Sequence, residues 1–201
     1  MDKMSATLRI LVLQVIISWA GATEYQLILD EDGHLAPCEH HPGNPSNFDA
    51  MVDMTTVNVT NSGNKMAVEG QQSVIWKDVQ PGDNIKISVQ ILRMEKGSWQ
   101  KTMFGTSSNN FCKNMFDKNQ MWYQFWTKYI TNSDEIKSKC LNTPGAVIKY
   151  QPYEIELRAN LNVPNLDGRY KVVLLIEAFD KRNVKRPVSI CTEFRGNALK
   201  V

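Results

Sequence analysis

The feature that most constrains the fold is a strict alternation of apolar and polar side chains in two stretches of the chain. From Ile85 to Ile91 every odd-numbered residue is apolar and every even-numbered residue is polar. The same pattern continues for eleven residues from Tyr153 to Val163. A period of two over such lengths is typical of antiparallel β-strands with one dry face and one wet face. The sequence therefore predicts a protein built mainly from half-buried strands.

A third strand is predicted from Arg169 to Phe179, and within it Val172–Ile176 is apolar on both faces. Such a strand is covered on both sides, or it faces a core on one side and another apolar partner on the other. The turn residues at 164–168 predict a hairpin between this strand and the preceding one. Further strands are predicted at Glu24–Leu29, Met54–Val59, Met66–Trp76 and Val188–Phe194. The predicted fold class is all-β, a two-sheet antiparallel sandwich with one short helix.

One segment has helical periodicity instead. Between Lys118 and Ile130 the apolar side chains recur at i, i+1, i+4, i+5 and i+8, namely Met121, Trp122, Phe125, Trp126 and Tyr129. Asp117 stands where an N-cap residue is expected. The pattern predicts an amphipathic helix whose aromatic face packs on an apolar surface.

Residues 1–22 are typical of a secretory signal peptide. Lys3 and Arg9 supply positive charge, Ile10–Trp19 is apolar, and Ala20-Gly21-Ala22 is a cleavage site of small residues. An apolar stretch of about ten residues is much shorter than the roughly 20 that a transmembrane helix needs. We therefore expect a secreted mature chain, residues 23–201, that forms a single domain without a transmembrane segment. The alternative is an uncleaved membrane anchor.

The charge balance argues against one class of partner. Removal of residues 1–22 takes away Lys3, Arg9 and Asp2, so that 23 basic and 21 acidic side chains become 21 and 20. A net charge of +1 is not the basic patch or stripe that nucleic-acid-binding domains carry. No nucleic-acid partner is expected.

Four cysteines lie within the mature chain: Cys38, Cys112, Cys140 and Cys191. An even number in a secreted chain predicts two disulfides, for which three pairings are possible. A bond between Cys112 and Cys140 would join the two ends of the helical region, and one between Cys38 and Cys191 would tie the start of the chain to its last strand. The residues alone leave the other pairings open.

One N-glycosylation sequon is present, Asn58-Val59-Thr60, because proline blocks the motif at Asn44-Pro45-Ser46. Asn58 falls on the polar side of the alternation with Val57 and Val59, where a glycan can be carried. The sequence thus predicts a glycoprotein modified at Asn58.

Signatures of catalysis are lacking in the sequence, including the G-x-S-x-G, H-E-x-x-H, P-loop and dinucleotide-binding motifs. His34, His40 and His41 lie near Cys38 and, with neighbouring acidic residues, could form a metal site. The segment has the glycine and proline density of an exposed loop, so we interpret these histidines as solvated loop residues. No enzyme activity, metal or cofactor is expected.

The aromatic helix has two interpretations, core filling or the mouth of an apolar pocket. Residues 98–111 favour the pocket, because they add Trp99, Met103, Phe104 and Phe111 in a Gly/Ser/Asn-rich stretch typical of a mobile segment. Methionine also supplies adaptable apolar surface. The two-sided apolar stretch at Val172–Ile176 needs a second apolar neighbour as well.

These observations predict an apolar lipid or hydrocarbon ligand between the sheets, since burial contributes about 0.8 kcal/mol per methylene. The alternation leaves open whether Val172 and Leu174 or Val173 and Leu175 face inward. The predicted lipid-binding residues are Met103, Phe104, Phe111, Met121, Trp122, Phe125, Trp126, Val173 and Leu175.

Four motifs together resemble a known family: NFCKN at 110–114, the run from Gln120 to Leu157, NLDGRYKVVLLIEAFD at 165–180 and SICTEF at 189–194. The chain resembles the insect CheB family of secreted chemosensory proteins, which is similar to the ganglioside-activator protein and other ML-type lipid-recognition proteins. This resemblance implies a sandwich opened into a cup, an apolar cavity and no catalysis. It also implies the pairings Cys38–Cys191 and Cys112–Cys140.

The function implied by the resemblance is detection of lipid-like pheromones in taste sensilla, with a chemosensory receptor or ion channel as a further partner. The alternative comes from another class of protein. It is an extracellular adaptor for a receptor or channel ectodomain, without a small-molecule ligand, in which the aromatic segment would be the interface.

Overall fold

The alternating stretches form strands of two antiparallel sheets in the computed structural model, which describes residues 23–30, 35–39, 41–62, 64–161 and 165–201. The predicted signal peptide lies outside the described residues. The strands are β1 (Thr23–Leu29), β2 (Ala36–Pro37), β3 (Val52–Asp53), β4 (Val57–Ser62), β5 (Lys65–Val74), β6 (Asn84–Glu95), β7 (Ser98–Ser108), β8 (Val147–Lys149), β9 (Tyr153–Glu156), β10 (Arg158–Leu161), β11 (Gly168–Phe179) and β12 (Ile190–Lys200). The helices are α1 (Phe111–Asn114), α2 (Met121–Phe125) and α3 (Ser133–Lys139), with 3-10 turns at Phe48–Ala50 and Thr127–Tyr129.

The first sheet has the order β10-β1-β12-β11-β6-β7, and β2 also pairs with β12. In the second sheet β5 is central and pairs with β3, β4, β8 and β9. All of these pairings are antiparallel. The predicted all-β sandwich of two antiparallel sheets is therefore confirmed.

Local sequence explains the tight hairpin between β6 and β7. Lys96 and Gly97 connect β6 to β7 and have φ values of 49° and 81°. Two central residues with positive φ match the right-handed twist of the flanking strands. Glu95 consequently lies opposite Ser98, and the pairing extends to Ile87 and Ser108.

The strand predicted from Tyr153 to Val163 forms, over its described residues 153–161, two strands in different sheets. β9 pairs with β5, whereas β10 pairs with β1. Leu157 lies at the crossing, because its N–H donates to the Asn64 carbonyl at 3.3 Å and its carbonyl accepts from the Leu27 N–H at 2.8 Å. The predicted hairpin with the following strand is wrong, since β11 pairs with β12 and β6.

The sequence predicted one helix, whereas the described chain has three short α-helices; the predicted one is among them but is shorter than expected. This helix, α2, covers Met121–Phe125, and Gln120 is its N-cap. The Asp117 carboxylate instead accepts a hydrogen bond from the Asn119 N–H at 2.9 Å, which closes a turn before the helix. Trp126 leaves the helical region with φ −142° and ψ −70°, and a 3-10 turn follows.

Residues 98–108, predicted to belong to a mobile segment, form the edge strand β7 instead. The strand contains a bulge, since Gln90 pairs with Gly105 but Leu92 pairs with Lys101. The Thr102 hydroxyl donates to the Ile91 carbonyl at 2.7 Å and accepts from the Phe104 N–H at 3.1 Å. Glycine and serine content alone is therefore a poor indicator of irregular structure here.

The core lies at one end of the sandwich, between the sheets and the helices. Its members include Trp76, Ile85, Phe111, Ile148 and Ile190. Two disulfides brace this end. Cys38–Cys191 joins the segment after β2 to the last strand, β12, and Cys112–Cys140 joins the two ends of the helical region. The pairing implied by the resemblance is confirmed.

Candidate apolar binding site

The two faces of β11 can now be distinguished. Ile176 and Ala178 belong to the core and Leu174 packs against it. Val172 lies two residues before Leu174 and therefore on the same face of the strand, so it also faces the space between the sheets. Val173 and Leu175 face the opposite way and pair with Glu193 and Cys191 on β12.

This orientation corrects the predicted site. An inter-sheet ligand would meet Val172 and Leu174, and it would not meet Val173 and Leu175. The sequence could not show which side chains face inward, because the odd and the even positions of Val172–Ile176 are all aliphatic.

Burial changes along the inner face of the first sheet. The row Ile87, Ile176 and Ile190 is buried and belongs to the continuous core. Two rows further along, Ile91, Val172 and Phe194 lie opposite one another and are only half-buried. Apolar inner-face residues would be covered if the sheets remained in contact over this length.

The second sheet shows the same change. Val74 and Ile148 belong to the continuous core. Val68 and Ile155 are buried, but they are not part of that core cluster as formed by the described residues. Further apolar residues of this inner face, Val59 and Met66, are half-buried. The continuous core thus ends partway along both sheets.

The predicted residues Phe111 and Trp122 lie in the core. Phe111 is fully buried and Trp122 is 7% exposed. Their rings meet edge to face with centroids 5.3 Å apart, and Trp122 Nε1 donates to the Asn114 carbonyl at 3.0 Å. Trp126 stacks on Phe111 at 6.1 Å and packs against the core. These contacts fit the core-filling interpretation of this part of the aromatic stripe.

The other two predicted residues of α2 face outward. Met121 is 38% exposed and Phe125 is 40% exposed. Since Trp122 on the same short helix is buried, the helix divides its apolar side chains between the core and the surface. Met121 and Phe125 therefore remain exposed and available to a ligand or partner.

Three tyrosines extend the aromatic cluster towards β9. Tyr129 and Tyr153 stack in parallel with centroids 3.9 Å apart, and Tyr150 meets Tyr153 edge to face at 6.2 Å. Burial raises the pKa of Tyr153 to about 12, with a smaller contribution from Tyr129. Burial also raises the pKa of Tyr150 well above its ordinary value. Both phenols are neutral at physiological pH.

Met103 and Phe104 lie elsewhere, at the bulge of β7 and outside the core cluster that holds Trp122. Met103 is 89% exposed. The two residues line an open concavity of about 490 Å³ formed by residues 88–91 and 101–107. The structure therefore does not bring these residues together with the aromatic helix.

Asn58 lies on β4, is exposed, and donates from Nδ2 to Glu69 Oε1 at 3.1 Å. Thr60 is also exposed and has the same parity. Beside them is a shallow concavity of about 430 Å³. Glycosylation at Asn58 stays a prediction, now with an accessible acceptor.

Within the described ranges, no group of three or more histidine, cysteine and acidic side chains is arranged to hold a metal ion. His34 and His40 of the histidine cluster lie outside those ranges, whereas His41 bonds through Nδ1 to the Pro42 carbonyl at 2.9 Å. Among the helices of the described part of the chain, none has the length and apolarity needed to cross a membrane.

The residues that the second sheet contributes to the site were not predicted from the sequence. Val57 and Val59 could have been assigned from their alternation with Asn58, which already placed them on the inward side. Gln72, a buried polar residue of β5, has no feature in the sequence that predicts its position.

Comparison with known proteins adds no residue to the site, since neither a protein-family model nor a curated protein matches the chain.

Proposed function

We propose that the protein is a secreted, non-catalytic carrier of apolar ligands with a role in chemosensation. The observation that carries this proposal is the end of the continuous core partway along both sheets, while apolar side chains continue on both inner faces. Half-buried Ile91, Val172 and Phe194 on one sheet, with Val59 and Met66 on the other, supply the walls of a cup. The chemosensory role is supported by the family resemblance alone.

The hydrophobic effect favours a ligand at such walls. Each methylene that leaves water contributes about 0.8 kcal/mol, so ten methylenes contribute roughly 8 kcal/mol before the costs of ordering. Long-chain lipids or hydrocarbons with the character of cuticular pheromones fit this requirement. A chemosensory receptor or ion channel would then receive the ligand or the loaded protein.

Two adjacent valines provide a matched test. Val172→Phe places a larger ring in the proposed cup, whereas Val173→Phe adds the same volume on the opposite face of β11. We expect Val172→Phe to weaken binding of a fluorescent fatty-acid probe at least tenfold, because the added ring occupies the ligand's space. Val173→Phe should leave the probe affinity within about twofold of wild type. Urea unfolding checks that both variants fold.

Mass spectrometry of solvent extracts from the purified protein provides the second measurement. Co-purifying long-chain lipid, lost in Val172→Phe and retained in Val173→Phe, supports the carrier function. A protein that yields no lipid and binds no probe would show that the space between the sheets holds no ligand, and the carrier proposal would be abandoned.

The second candidate, an extracellular adaptor without a ligand, is favoured by the exposed methionine at the β7 bulge. Met103 is 89% exposed beside a concavity of about 490 Å³. An adaptor predicts that Met103→Asp abolishes binding to cells that display the receptor or channel ectodomain. Lipid-probe binding by the same variant would be unchanged. If neither property changes, this surface has no part in either function.

A further inference from the structure

Gln72 carries a buried hydrogen-bond donor without a partner. The residue is 3% exposed, and its Nε2 atom makes no hydrogen bond within the part of the chain that the structure describes. Buried side-chain amides are nearly always paired, so an isolated donor in an apolar interior calls for an explanation. A bound molecule with an acceptor atom would supply one.

Gln72 stands where the continuous core ends. On β5 it has the same parity as Val74, and it pairs with Ile148 on β8; both of these residues belong to the core. Val68, four residues earlier on the same face, is outside the core cluster. The amide is therefore at the inner end of the proposed cup, where the head of an inserted ligand would arrive.

Tyr150 is a close neighbour of Gln72 in the sheet. Its N–H donates to the Gly70 carbonyl at 3.0 Å, two residues from Gln72 on β5. Its hydroxyl accepts a hydrogen bond from Trp126 Nε1 at 2.8 Å, and its raised pKa keeps it protonated. Because the hydroxyl acts as the acceptor in that bond, it keeps a hydrogen that it can donate.

We propose that Gln72 Nε2 donates a hydrogen bond to an uncharged oxygen of the ligand. The ligand class is then a long apolar chain with a carbonyl oxygen, such as a ketone or an ester, in preference to a plain hydrocarbon. A carboxylate fits less well, because a buried anion needs a cation beside it and the neighbours Val68, Val74 and Ile148 are apolar. This inference rests on the proposed carrier function.

The test compares 2-dodecanone with dodecane by displacement of an uncharged apolar fluorescent probe, N-phenyl-1-naphthylamine. Gln72→Leu should weaken the affinity for the ketone about fivefold to tenfold, the loss expected for one hydrogen bond, and leave the affinity for dodecane unchanged or improved. Gln71→Leu, an exposed neighbour on the other face of β5, should change neither affinity. Gln72→Met, which keeps the length of the side chain, should reproduce the result if Gln72→Leu does not fold.

The outcomes separate the two proposals. If wild type binds both compounds and the Gln72 variants change neither affinity, or change both equally, the donor is satisfied by water and this inference is overturned while the carrier function stands. If wild type binds neither compound and yields no lipid, the carrier function fails and this inference fails with it.

Discussion

Trp126 donates a hydrogen bond from its indole Nε1 to the hydroxyl of Tyr150, with 2.8 Å between the two atoms. Trp126 directly follows α2, and Tyr150 directly follows β8, so the bond ties the helical region to the second sheet. The Cys112–Cys140 disulfide holds the same region at its two ends. The helical region is thus attached to the second sheet through this bond, while Met121 and Phe125 of α2 remain exposed.

The first prediction concerns this hydrogen bond. Tyr150→Phe removes the acceptor and leaves the indole N–H in a largely apolar setting, so we expect the free energy of unfolding to fall by about 1–2 kcal/mol. Urea unfolding followed by tryptophan fluorescence measures the change. Tyr123→Phe, on the helix itself, is the matched control and should have a much smaller effect. Equal losses in the two variants would contradict a specific role for the Trp126 bond.

The second prediction concerns stability at alkaline pH. Burial raises the pKa of Tyr153 to about 12 from its ordinary value of 10.0. A raised folded-state pKa means that the stabilisation is fully present below pH 10 and is lost as the pH rises towards about 12. We expect the unfolding midpoint in urea to decline across this interval and the decline to be weaker in Tyr153→Phe. Tyrosinate absorbance that develops fully near pH 10 would argue against the buried setting.

The third prediction concerns a buried ion pair. Arg186 donates two hydrogen bonds of 2.8 Å to the Asp83 carboxylate, whose side chain is only 4% exposed, and this bond holds the Asp83 pKa below its usual value. Arg186→Met should therefore lower the free energy of unfolding at neutral pH, because it leaves the Asp83 carboxylate without its cation. The exposed Arg182, which contacts Asp180 at 3.6 Å, gives the control Arg182→Met, for which little change is expected.

The pH dependence of this pair provides an independent check. A lowered folded-state pKa means that the stabilisation is present above the unfolded value of 3.8 and is lost as the pH falls through the folded value. Wild type should lose stability in this acidic interval more steeply than Asp83→Asn. Parallel acid-unfolding curves for the two proteins would show that Asp83 is not responsible.

The fourth prediction compares the disulfides. Cys38–Cys191 closes a loop with a sequence separation of 153 residues, and Cys112–Cys140 one of 28 residues. The loop-entropy relation assigns them about 5 and about 3.5 kcal/mol, so the long-range bond should contribute more stability. Paired serine substitutions at each bridge, measured by urea unfolding, test the order. A larger loss at Cys112–Cys140 would show that local packing of the helical region outweighs loop entropy.

The sequence predicted the strands best where one face is buried and the other is solvated. Ile85–Ile91 lies within β6 as expected, because Ile85, Ile87 and Val89 are buried and the intervening residues are more exposed. The passage of the chain from one sheet to the other at Leu157 could not be predicted from the alternation. The alternation continues through the run, while the two backbone hydrogen bonds of Leu157 join different sheets.

The site was harder to predict than the fold. Periodicity identified the aromatic stripe, but Trp126 ends α2 and the stripe is divided between buried Trp122 and exposed Phe125. The direction of Val172 depends on its pairing with Ile91 and Phe194, which are distant in the sequence. Pairings between strands that are distant in the sequence cannot be deduced from any single stretch of residues.

The bulge in β7 has a consequence for solubility at high concentration. In the described sheet β7 is an edge strand of eleven residues, and its free backbone groups could template pairing with another chain. The three residues Thr102–Phe104 opposite Ile91 interrupt this ladder and bend the strand. The regularly paired portions on either side, Ser98–Lys101 and Gly105–Ser108, are each shorter than the roughly six residues of a typical fibril-forming segment, so the irregularity disfavours edge-to-edge pairing with another chain.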